Sequence, residues 1–331
     1  MILIITNKED THPVPVIEKL REWGVSFLRL NTESLLTDYE FAWWARGGAC
    51  DFRLRNLAAG VECLGSQISA VWERRPMPPK DLPVAGHPKV EAYNRAEALE
   101  FLVFLRHYIA HIPSIGSILL DRHAASKMLQ MHLAQEVGFL VPDTLFANRR
   151  QPVMDFAAEH PLLALKSIST EGVWMEDEGA DEYTFYTRQV AAESLSDVPE
   201  EAFTQTVNFV QAYVEKAYEL RITVVGEEVF ACRIDAQQLA DNEGKVDWRQ
   251  GYDHGMQQTA YTLPTEVADR CRLFLQRMWL NFGCFDFVVT PSGEYVFLEC
   301  NPNGQWLWVE IETGLPISEA VARWLTKKIK N

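Results

Sequence analysis

The chain has 331 residues, more than a single hydrophobic core usually serves, so we expect two or three subdomains. Its 31 Lys and Arg residues against 46 Asp and Glu residues give a formal net charge of −15, which argues against a nucleic-acid-binding protein. The six cysteines show no Cys-x-x-Cys spacing and lie mostly in apolar segments, so we expect small buried hydrophobic residues in a reducing compartment.

The predicted elements begin with an apolar strand at residues 2–6, which is too brief and too uncharged for a signal peptide. A helix at 13–23 ends at Gly24, and a second strand follows at 25–30. This opening predicts a small α/β domain with a parallel sheet, and no Gly-x-Gly-x-x-Gly sequence accompanies it, so we expect no nucleotide site there. Four strands, a Pro-rich loop and a long amphipathic helix complete this region: 40–46, 50–55, 60–64, 68–74, 76–88 and 89–111.

The next region combines a helix, two strands and an acidic irregular segment with two strand-like pieces: 122–137, 142–148, 162–167, 168–206, 172–175 and 183–188. Strands dominate the last region, which also has a charged excursion, two helices and a hairpin: 207–214, 218–225, 228–235, 237–256, 257–262, 265–281, 283–304 and 317–329. No apolar run reaches the ~18 residues of a transmembrane helix, so we expect a cytoplasmic protein with no membrane partner.

The hairpin at 283–304 is the most informative stretch of the chain. Three oxygen-bearing side chains interrupt its apolar pattern, namely Asp286, Glu299 and Asn301. Glu299 and Asn301 are two residues apart and point to one face of a strand, and Asp286 on the partner strand can aim at the same point. Two carboxylates and an amide oxygen are ligands that Mg²⁺ prefers, so the pattern predicts a magnesium site. A solvated hairpin is the alternative, and the Phe residues on both sides of Asp286 fit it poorly.

An Asp on one strand followed by Glu-x-Asn-x-x-Gly on the next resembles the metal-binding end of ATP-grasp carboxylate–amine ligases. The longer sequence Glu299-Cys-Asn-Pro-Asn-Gly-Gln-Trp-Leu-Trp308 is similar, more narrowly, to the peptide macrocyclases that mature microviridins and related graspetides. This resemblance extends over most of the chain.

The resemblance implies an α/β (α+β) protein with the ATP-grasp fold. An N-terminal α/β pre-ATP-grasp domain would take residues 1–115, a central domain 116–206, and a C-terminal ATP-gripping domain with the metal site 207–331. It also implies ATP and Mg²⁺ as cofactors and a ligase reaction that passes through an acyl phosphate.

Two lysines are candidates for binding the phosphates of ATP. Lys127 lies at a turn on the central helix, where a lone lysine is more often solvated surface, whereas Lys166 ends an apolar strand and opens a loop. The resemblance implies that both occupy phosphate-binding positions. It also implies that the loop from Ser167 to Gly172 covers the phosphates, the alternative being an ordinary surface loop.

The resemblance further implies a slot for adenosine along the strand Phe209–Val214. Gln211 would contact the exocyclic amine of the base, the backbone N–H of Val214 a ring nitrogen, and Glu219 the ribose hydroxyls. Without the resemblance, Gln211 and Glu219 would be ordinary polar residues of an edge strand.

Arg221 and Arg233 interrupt two neighbouring predicted strands. A guanidinium fork suits carboxylate and phosphate oxygens, so we expect a shared anionic target and a catalytic role; outward solvated arginines are the alternative. Many amino-acid ligases of this superfamily carry Arg two residues before the metal Asp, where this chain has Cys284. That departure puts small amino-acid substrates in doubt and is compatible with a peptide. Asp235 and Asp247 are two candidates for a general base.

The resemblance implies a ribosomally made precursor peptide, leader plus core, as the partner. Its Glu or Asp side chains would be joined to Thr or Ser hydroxyls, or to Lys amines. The acidic, aromatic segment 173–206 would dock the leader, with a surface excursion that has no partner as the alternative. An ATP-grasp ligase for another peptide or amino-acid substrate and a non-catalytic ATP-binding scaffold stay open as functions, and so does a homodimer.

Overall fold

The computed structural model describes residues 1–84, 86–169, 173–174, 182–183, 185–239 and 242–328. The first elements in chain order are β1 Ile2–Thr6, α1 Pro13–Glu22, β2 Phe27–Asn31, α2 Leu35–Asp38, β3 Tyr39–Arg46, β4 Ala49–Asn56, β5 Glu62–Leu64, β6 Ala70–Glu73, α3 Pro88–Ile109 and β7 Ser114–Ile115. Strands β2, β1, β6 and β7 form a parallel sheet in that order. Every residue of β1 is buried, as expected for a central strand of a parallel sheet whose two faces are both covered.

A second, antiparallel sheet of β3, β4 and β5 packs in the same region. Its buried residues Phe52 and Leu54 share a core with Phe101 and Leu105 of the long helix α3. The alternation of buried and exposed residues along β4 explains this packing, because one face of the strand meets the helix and the other meets water.

The central elements are α4 Ile118–Ala124, α5 Lys127–Glu136, β8 Thr144–Ala147, α6 Arg150–Glu159, β9 Leu162–Lys166, β10 Val173–Trp174, β11 Glu182–Tyr183, β12 Arg188–Ala191, α7 Glu200–Thr204 and β13 Asn208–Ala212. Strands β12, β9, β13 and β8 form an antiparallel sheet in that order. This sheet has its own small core with α6 and α7, which includes Val153, Leu163, Phe203 and Val210.

Two predictions for this part of the chain are wrong in detail. The single helix expected at 122–137 is instead two helices, since α4 ends at Ala124 and α5 begins at Lys127. Helix α6 was not predicted, and the strand expected at 183–188 is instead divided between β11 and β12.

The last elements are β14 Tyr218–Val225, β15 Glu228–Ile234, α8 Asn242–Val246, β16 Gln258–Tyr261, α9 Thr265–Arg277, β17 Phe282–Val289, β18 Tyr295–Asn301, α10 Leu307–Thr313 and α11 Ile317–Lys327. The strands form an antiparallel sheet in the order β16, β15, β14, β17 and β18. Helices α5 and α9 share one core with this sheet, and α10 and α11 share another. Every residue of β17 is buried, since the strand lies between both cores.

The N-terminal and C-terminal parts of the chain are packed into one body. Val16 and Leu20 of α1 share a core with Val321 and Leu325 of α11. The junction also has a polar element, because the fully buried Arg74 pairs with Asp10 at 3.1 Å and donates to the Gly304 carbonyl at 3.2 Å. The loop after β18 is thereby tied to the end of β6.

No helix in the described part of the chain is long and apolar enough to cross a membrane. Five cysteines are buried, whereas Cys50 is exposed on β4, so the prediction of small buried hydrophobic residues is wrong for Cys50.

Candidate active site

One cavity of about 1140 Å³ is lined by residues from all three regions of the chain. Its wall contains all of the predicted site residues except Arg233: Lys127, Lys166, Ser167, Gln211, Val214, Glu219, Arg221, Asp286, Glu299 and Asn301. The fold therefore brings groups that are far apart in the sequence to one place. Their individual roles stay predictions.

Strands β17 and β18 place the three residues of the predicted metal site side by side. Asp286 lies opposite Glu299 in register, and Asn301 is two residues further along β18, so all three share one face. The Asn301 amide nitrogen donates to Asp286 Oδ2 at 3.0 Å and to Glu299 Oε1 at 3.2 Å. A half-turn of this amide would present its oxygen instead, and the three residues would then offer only hard oxygen donors. This set fits Mg²⁺.

The same set differs from the usual sites of softer metals. Among the described residues, no group of three His, Cys, Asp or Glu side chains is arranged to hold a metal ion. The hairpin has two carboxylates and one amide, a set suited to an ion that shares its coordination sphere with substrate phosphates.

Each hairpin carboxylate also has its own cation. Lys127, the first residue of α5, places Nζ 2.5 Å from Glu299 Oε2. Burial disfavours the charged form of Glu299, but the pairing with Lys127 and the nearby Lys166 outweigh it and hold the pKa of Glu299 below its usual value. Arg221 lies opposite Asp286 in register, and its Nη1 donates to both carboxylate oxygens at 2.9 and 2.8 Å.

Both terminal nitrogens of the Arg221 guanidinium are hydrogen-bonded to the protein, whereas its buried Nε has no partner among the described residues. Its Nη2 donates to the carbonyl of Gln305 at 2.9 Å, in the loop that follows the β17–β18 hairpin with the predicted metal site (the metal hairpin). Gly304 lies against this group, since a Cβ there would be 2.9 Å from Arg221 Nη2. These contacts fit a residue that positions Asp286, and they leave little of the fork for a substrate.

Gln130 of α5 supports the hairpin from behind. Its side chain is fully buried, its Nε2 donates to the Cys300 carbonyl at 2.7 Å, and its Oε1 accepts from the Cys300 N–H at 2.9 Å. Cys300 separates Glu299 from Asn301, so this pair of hydrogen bonds fixes the segment that carries two of the three candidate ligands.

The predicted adenosine slot has an unmatched acceptor. Gln211 on β13 is 1% exposed, and its Nε2 donates to Thr144 Oγ1 at 2.9 Å. Its Oε1 is buried and accepts no hydrogen bond from the described residues. A buried oxygen without a donor is costly, and the exocyclic amine of adenine is a donor of the right kind. Gln211 therefore fits the role that the resemblance implies.

The ribose end of this slot is charged but balanced. Lys216 Nζ donates to Glu219 Oε1 at 2.9 Å and to the Val246 carbonyl at 2.7 Å. Burial raises the pKa of Glu219, and Lys216 acts in the opposite direction. The other oxygen of Glu219, Oε2, accepts no hydrogen bond from the described residues and suits a ribose hydroxyl.

Lys166 ends β9 at the cavity wall and makes no hydrogen bond or ion pair with any described residue, although its Nζ lies 5.9 Å from the centre of the Phe209 ring. The pKa of Lys166 is lowered to about 8, chiefly because the amine is removed from water; Glu299 opposes this shift, and Lys216 and Lys127 add to it. An ammonium held among other cations is well suited to bind negatively charged phosphates.

The predicted phosphate-covering loop is described only in its first residues. Ser167 donates from Oγ to the Ser169 carbonyl at 2.8 Å. Residues 170–172, which complete the predicted loop, lie outside the described residues, and so do most of residues 173–184 in the predicted leader-docking segment.

The expectation that Arg221 and Arg233 face one shared target is wrong. The register pairs Arg221 with Cys232, and Arg233 with Leu220, so the two arginines project from opposite faces of the sheet. Arg233 instead binds Asp235, with Nη2 to Oδ1 at 2.7 Å, and does not line the cavity.

Neither candidate for a general base is suited to that role. Asp235 is engaged by Arg233 outside the cavity. Asp247 lies in the cavity wall, but Arg249 donates to both of its oxygens, at 2.8 and 2.5 Å. Although burial acts the other way, these bonds hold the pKa of Asp247 below its usual range, so it is a poor proton acceptor.

Sequence reasoning missed several charged residues of the cavity wall: Glu73, Arg75, Asp121, Arg122, Lys216 and Arg249. Arg75 has a positive φ of 47°, a strained backbone for a side chain of its size and one that often marks a functional position. The only sequence signals were the Arg-Arg pair at the end of β6 and the Lys three residues before Glu219.

No protein-family model matches the chain, and no curated protein matches it in sequence. Solved structures do match. A RiPP-associated ATP-grasp ligase of Chryseobacterium gregarium, in complex with ADP and a leader and core peptide, is 25% identical with a TM-score of 0.86, over 99% of this chain and 96% of that chain. The macrocyclase MdnC of Microcystis aeruginosa MRC, bound with its precursor peptide MdnA, is 26% identical with a TM-score of 0.80, over 98% of this chain and 99% of that chain. The macrocyclase MdnB of the same organism is 26% identical with a TM-score of 0.74, over 98% of each chain.

The fold and the cavity together define an ATP-grasp ligase, which confirms the predicted α/β architecture and the predicted enzyme class. Within that class the chain resembles the graspetide-type ligases, since it is similar along nearly its whole length to the RiPP-associated ligase and to MdnC. The domain boundaries at 115 and 206 stay predictions.

Proposed function

We propose that the protein is an ATP-dependent peptide macrocyclase. It phosphorylates Glu or Asp side chains of a ribosomally made precursor and joins them to Thr or Ser hydroxyls, or to Lys amines. The observation that carries this proposal is the convergence, in one cavity, of the oxygen donors of the β17–β18 hairpin, the lysines and the unmatched Gln211 acceptor. The peptides bound to the Chryseobacterium ligase and to MdnC support a peptide substrate.

The nucleotide half of the site follows from the residues on the cavity wall. Gln211 Oε1 accepts from the base amine, and Glu219 accepts from ribose hydroxyls. Lys127 and Lys166 offset the negative charge of the phosphates, while Arg221 holds Asp286 in place. Asp286, Glu299 and Asn301 would hold Mg²⁺, whose positive charge would stabilise the transferring phosphoryl group. The ADP in the Chryseobacterium complex supports ATP as the nucleotide.

The electrostatic problem of the first step is that an anionic carboxylate must approach a polyanion. Lys166 makes no ion pair with the described chain and faces the cavity, so it is available to the phosphate being transferred. Arg75 and Arg122 line the same cavity from the end of β6 and from α4, and neither makes a salt bridge with a described residue. These two guanidiniums are suited to the substrate carboxylate, in the place that Arg233 cannot reach.

The test is Glu299→Gln with ATP, Mg²⁺ and a candidate precursor that has Thr or Ser and Glu or Asp residues in its core. The wild-type protein should lower the peptide mass by one water per crosslink, and Glu299→Gln should not, because it loses a carboxylate of the metal set while peptide binding stays largely intact. Glu294→Gln is the matched control, since Glu294 lies in the exposed turn of the same hairpin. Normal turnover by Glu299→Gln would refute the metal assignment.

The same mass measurement separates the proposal from its alternative. A mass gain from an added amino acid would indicate a ligase for another substrate. Docking of the leader at residues 173–206, a cytoplasmic location and a homodimer stay predictions.

A further inference from the structure

One carboxylate on the cavity wall has no role in the site described so far. All of the others are paired with a cation: Glu73 with Arg106, Glu219 with Lys216, Asp247 with Arg249, Asp286 with Arg221, and Glu299 with Lys127. Asp121 on α4 is only 8% exposed and has no salt bridge to any residue of the described chain. Burying a carboxylate without a cation is expensive, so a purely structural role explains Asp121 poorly.

The carboxylate is nevertheless held in a fixed orientation. Asn303 Nδ2 donates to Asp121 Oδ2 at 3.1 Å, and the Ser117 N–H donates to Oδ1 at the longer distance of 3.4 Å. The Asn303 amide is itself oriented, because Arg74 Nη1 donates to its Oδ1 at 3.0 Å. Arg74 in turn pairs with Asp10. These contacts place one donor on each oxygen of Asp121, and because a carboxylate oxygen has two lone pairs, acceptor capacity remains on both.

The position of Asp121 links it to the reaction. Asn303 is two residues beyond Asn301, on the loop that leaves the metal hairpin, so Asp121 lies next to the segment that carries the candidate ligands. Arg122 adjoins it on the same helix, and Arg75 lines the same cavity from the end of β6. The second step needs a group here that removes a proton from the attacking hydroxyl.

The groups that face Asp121 tune it for that task. The pKa of Asp121 is raised to about 7, chiefly by burial; the Ser117 N–H, Asn303 and Arg74 act to lower it, and the charge of Glu73 adds to the rise. Glu73 is held by Arg106 at 2.9 Å and by the Ile118 N–H at 3.0 Å, so it stays beside Asp121 as a fixed negative charge. A base with a pKa near the working pH is the most effective proton acceptor.

We propose that Asp121 is the general base of the second step, which takes the proton from the substrate nucleophile as it attacks the acyl phosphate. This inference rests on the proposed function. The hydroxyl oxygen forms the new C–O bond, its proton passes to Asp121 Oδ, and the C–O bond to phosphate breaks with its electron pair on the departing phosphate. Asp121 then returns its proton to phosphate or to solvent, and no oxidant or reductant is involved.

The experiment compares Asp121→Asn with the wild-type protein in two assays. Ring closure is followed as the loss of water from the precursor, and formation of the acyl phosphate is followed by trapping it with hydroxylamine as a peptide hydroxamate. Hydroxylamine needs no enzymatic base, so hydroxamate should form within about twofold of the wild-type rate. Ring closure should fall by about 10²–10⁴-fold, the usual contribution of general base catalysis.

The pH profile supplies the second readout. Wild-type ring closure should rise with pH through an apparent pKa near 7, because Asp121 must be deprotonated to act. In Asp121→Asn this rise with pH, the ascending limb of the profile, should be absent. Glu73→Gln removes a neighbouring negative charge and should shift the limb to lower pH, whereas Asn303→Ala removes a donor and should shift it to higher pH. A structural role would not produce these opposite shifts.

The outcomes separate the two levels of inference. Normal ring closure by Asp121→Asn, or equal losses of ring closure and hydroxamate, would overturn the role of Asp121. The absence of hydroxamate and crosslinks from the wild-type protein would overturn the proposed function, and with it this role. The shifts in Glu73→Gln and Asn303→Ala test the proposal even if Asp121→Asn fails to fold.

Discussion

Gln130 offers the sharpest test of how the fold holds the metal hairpin, because its substitution by Met keeps the shape of the side chain and removes all of its hydrogen bonds. The Nε2 group donates to the Ala124 and Cys300 carbonyls, both at 2.7 Å, and Oε1 accepts from the Cys300 N–H at 2.9 Å. Gln130 is fully buried, so water cannot replace these partners.

The expected magnitude follows from the groups left unpaired. Each buried backbone group that loses its partner costs about 1–3 kcal/mol, and partial relaxation around a methionine brings the total for Gln130→Met to roughly 3 kcal/mol. At about 2–4 °C per kcal/mol for a protein of this order of size, the melting temperature should fall by roughly 6–12 °C. Because Cys300 separates two candidate ligands, the Mg²⁺ concentration that half-saturates turnover should also rise, by about 10–100-fold.

The assay is a thermal melt of the apoprotein followed by turnover at varied Mg²⁺. Gln135→Met is the matched control, since Gln135 is exposed on the same helix and should change stability by less than about 0.5 kcal/mol. If Gln130→Met melted with the wild-type protein and needed no more Mg²⁺, the argument that α5 fixes the hairpin would be refuted.

Two further predictions concern the same cavity. In Gly304→Ala, the new Cβ would lie 2.5 Å from Cys284 Cβ and 2.9 Å from Nη2 of Arg221, the residue that holds Asp286, so turnover should need more Mg²⁺. Gly86→Ala is the control, because a Cβ there has nothing within 4 Å and the variant should behave as wild type. Equal Mg²⁺ dependence of the two variants would contradict this prediction. The lowered pKa of Lys166, about 8, means that the lysine is charged below that pH and that phosphate binding above it draws in a proton. Calorimetry in buffers of different ionisation enthalpy should therefore detect proton uptake on ATP binding at alkaline pH in the wild type and little in Lys166→Arg. Equal proton uptake by the two proteins would contradict a phosphate-binding role for Lys166.

The metal hairpin could be predicted from the sequence because its information is local. Two strands joined by a tight turn bring Asp286 opposite Glu299, and a period of two places Asn301 on the same face. The α/β opening of the chain was predictable for a similar reason, since a strand, a helix and a strand follow one another directly.

The direction in which Arg233 projects could have been predicted from the register of β14 and β15. The turn between β14 and β15 is two residues long, with Gly226 at a positive φ of 57°, so Val225 pairs with Glu228. Counting back from that turn pairs Arg221 with Cys232 and places Arg233 on the other face. Two adjacent strands with an arginine each do not share a target unless this count agrees.

Other features could not be predicted because they depend on tertiary contacts. Lys127 and Glu299 are 172 positions apart, and no local pattern shows that they form an ion pair. Asp121 lies in a segment of ordinary helical composition, and its lack of a salt bridge to any described residue is visible only once Glu73 and Asn303 are packed around it. Burial and pairing decide which carboxylate is held ionised and which titrates near neutrality.

The way in which the cores are divided has a practical consequence for engineering. Among the described residues, the core under β12, β9, β13 and β8 contains side chains from residues 145–210 alone, whereas the core beneath α11 combines the first strand of the chain with the last helix. A chimaera that transplants 144–212 between relatives should keep its own packing intact. Separating the N-terminal region from the C-terminal region would instead expose apolar surface on both fragments. A chimaera should therefore take these two regions from the same parent.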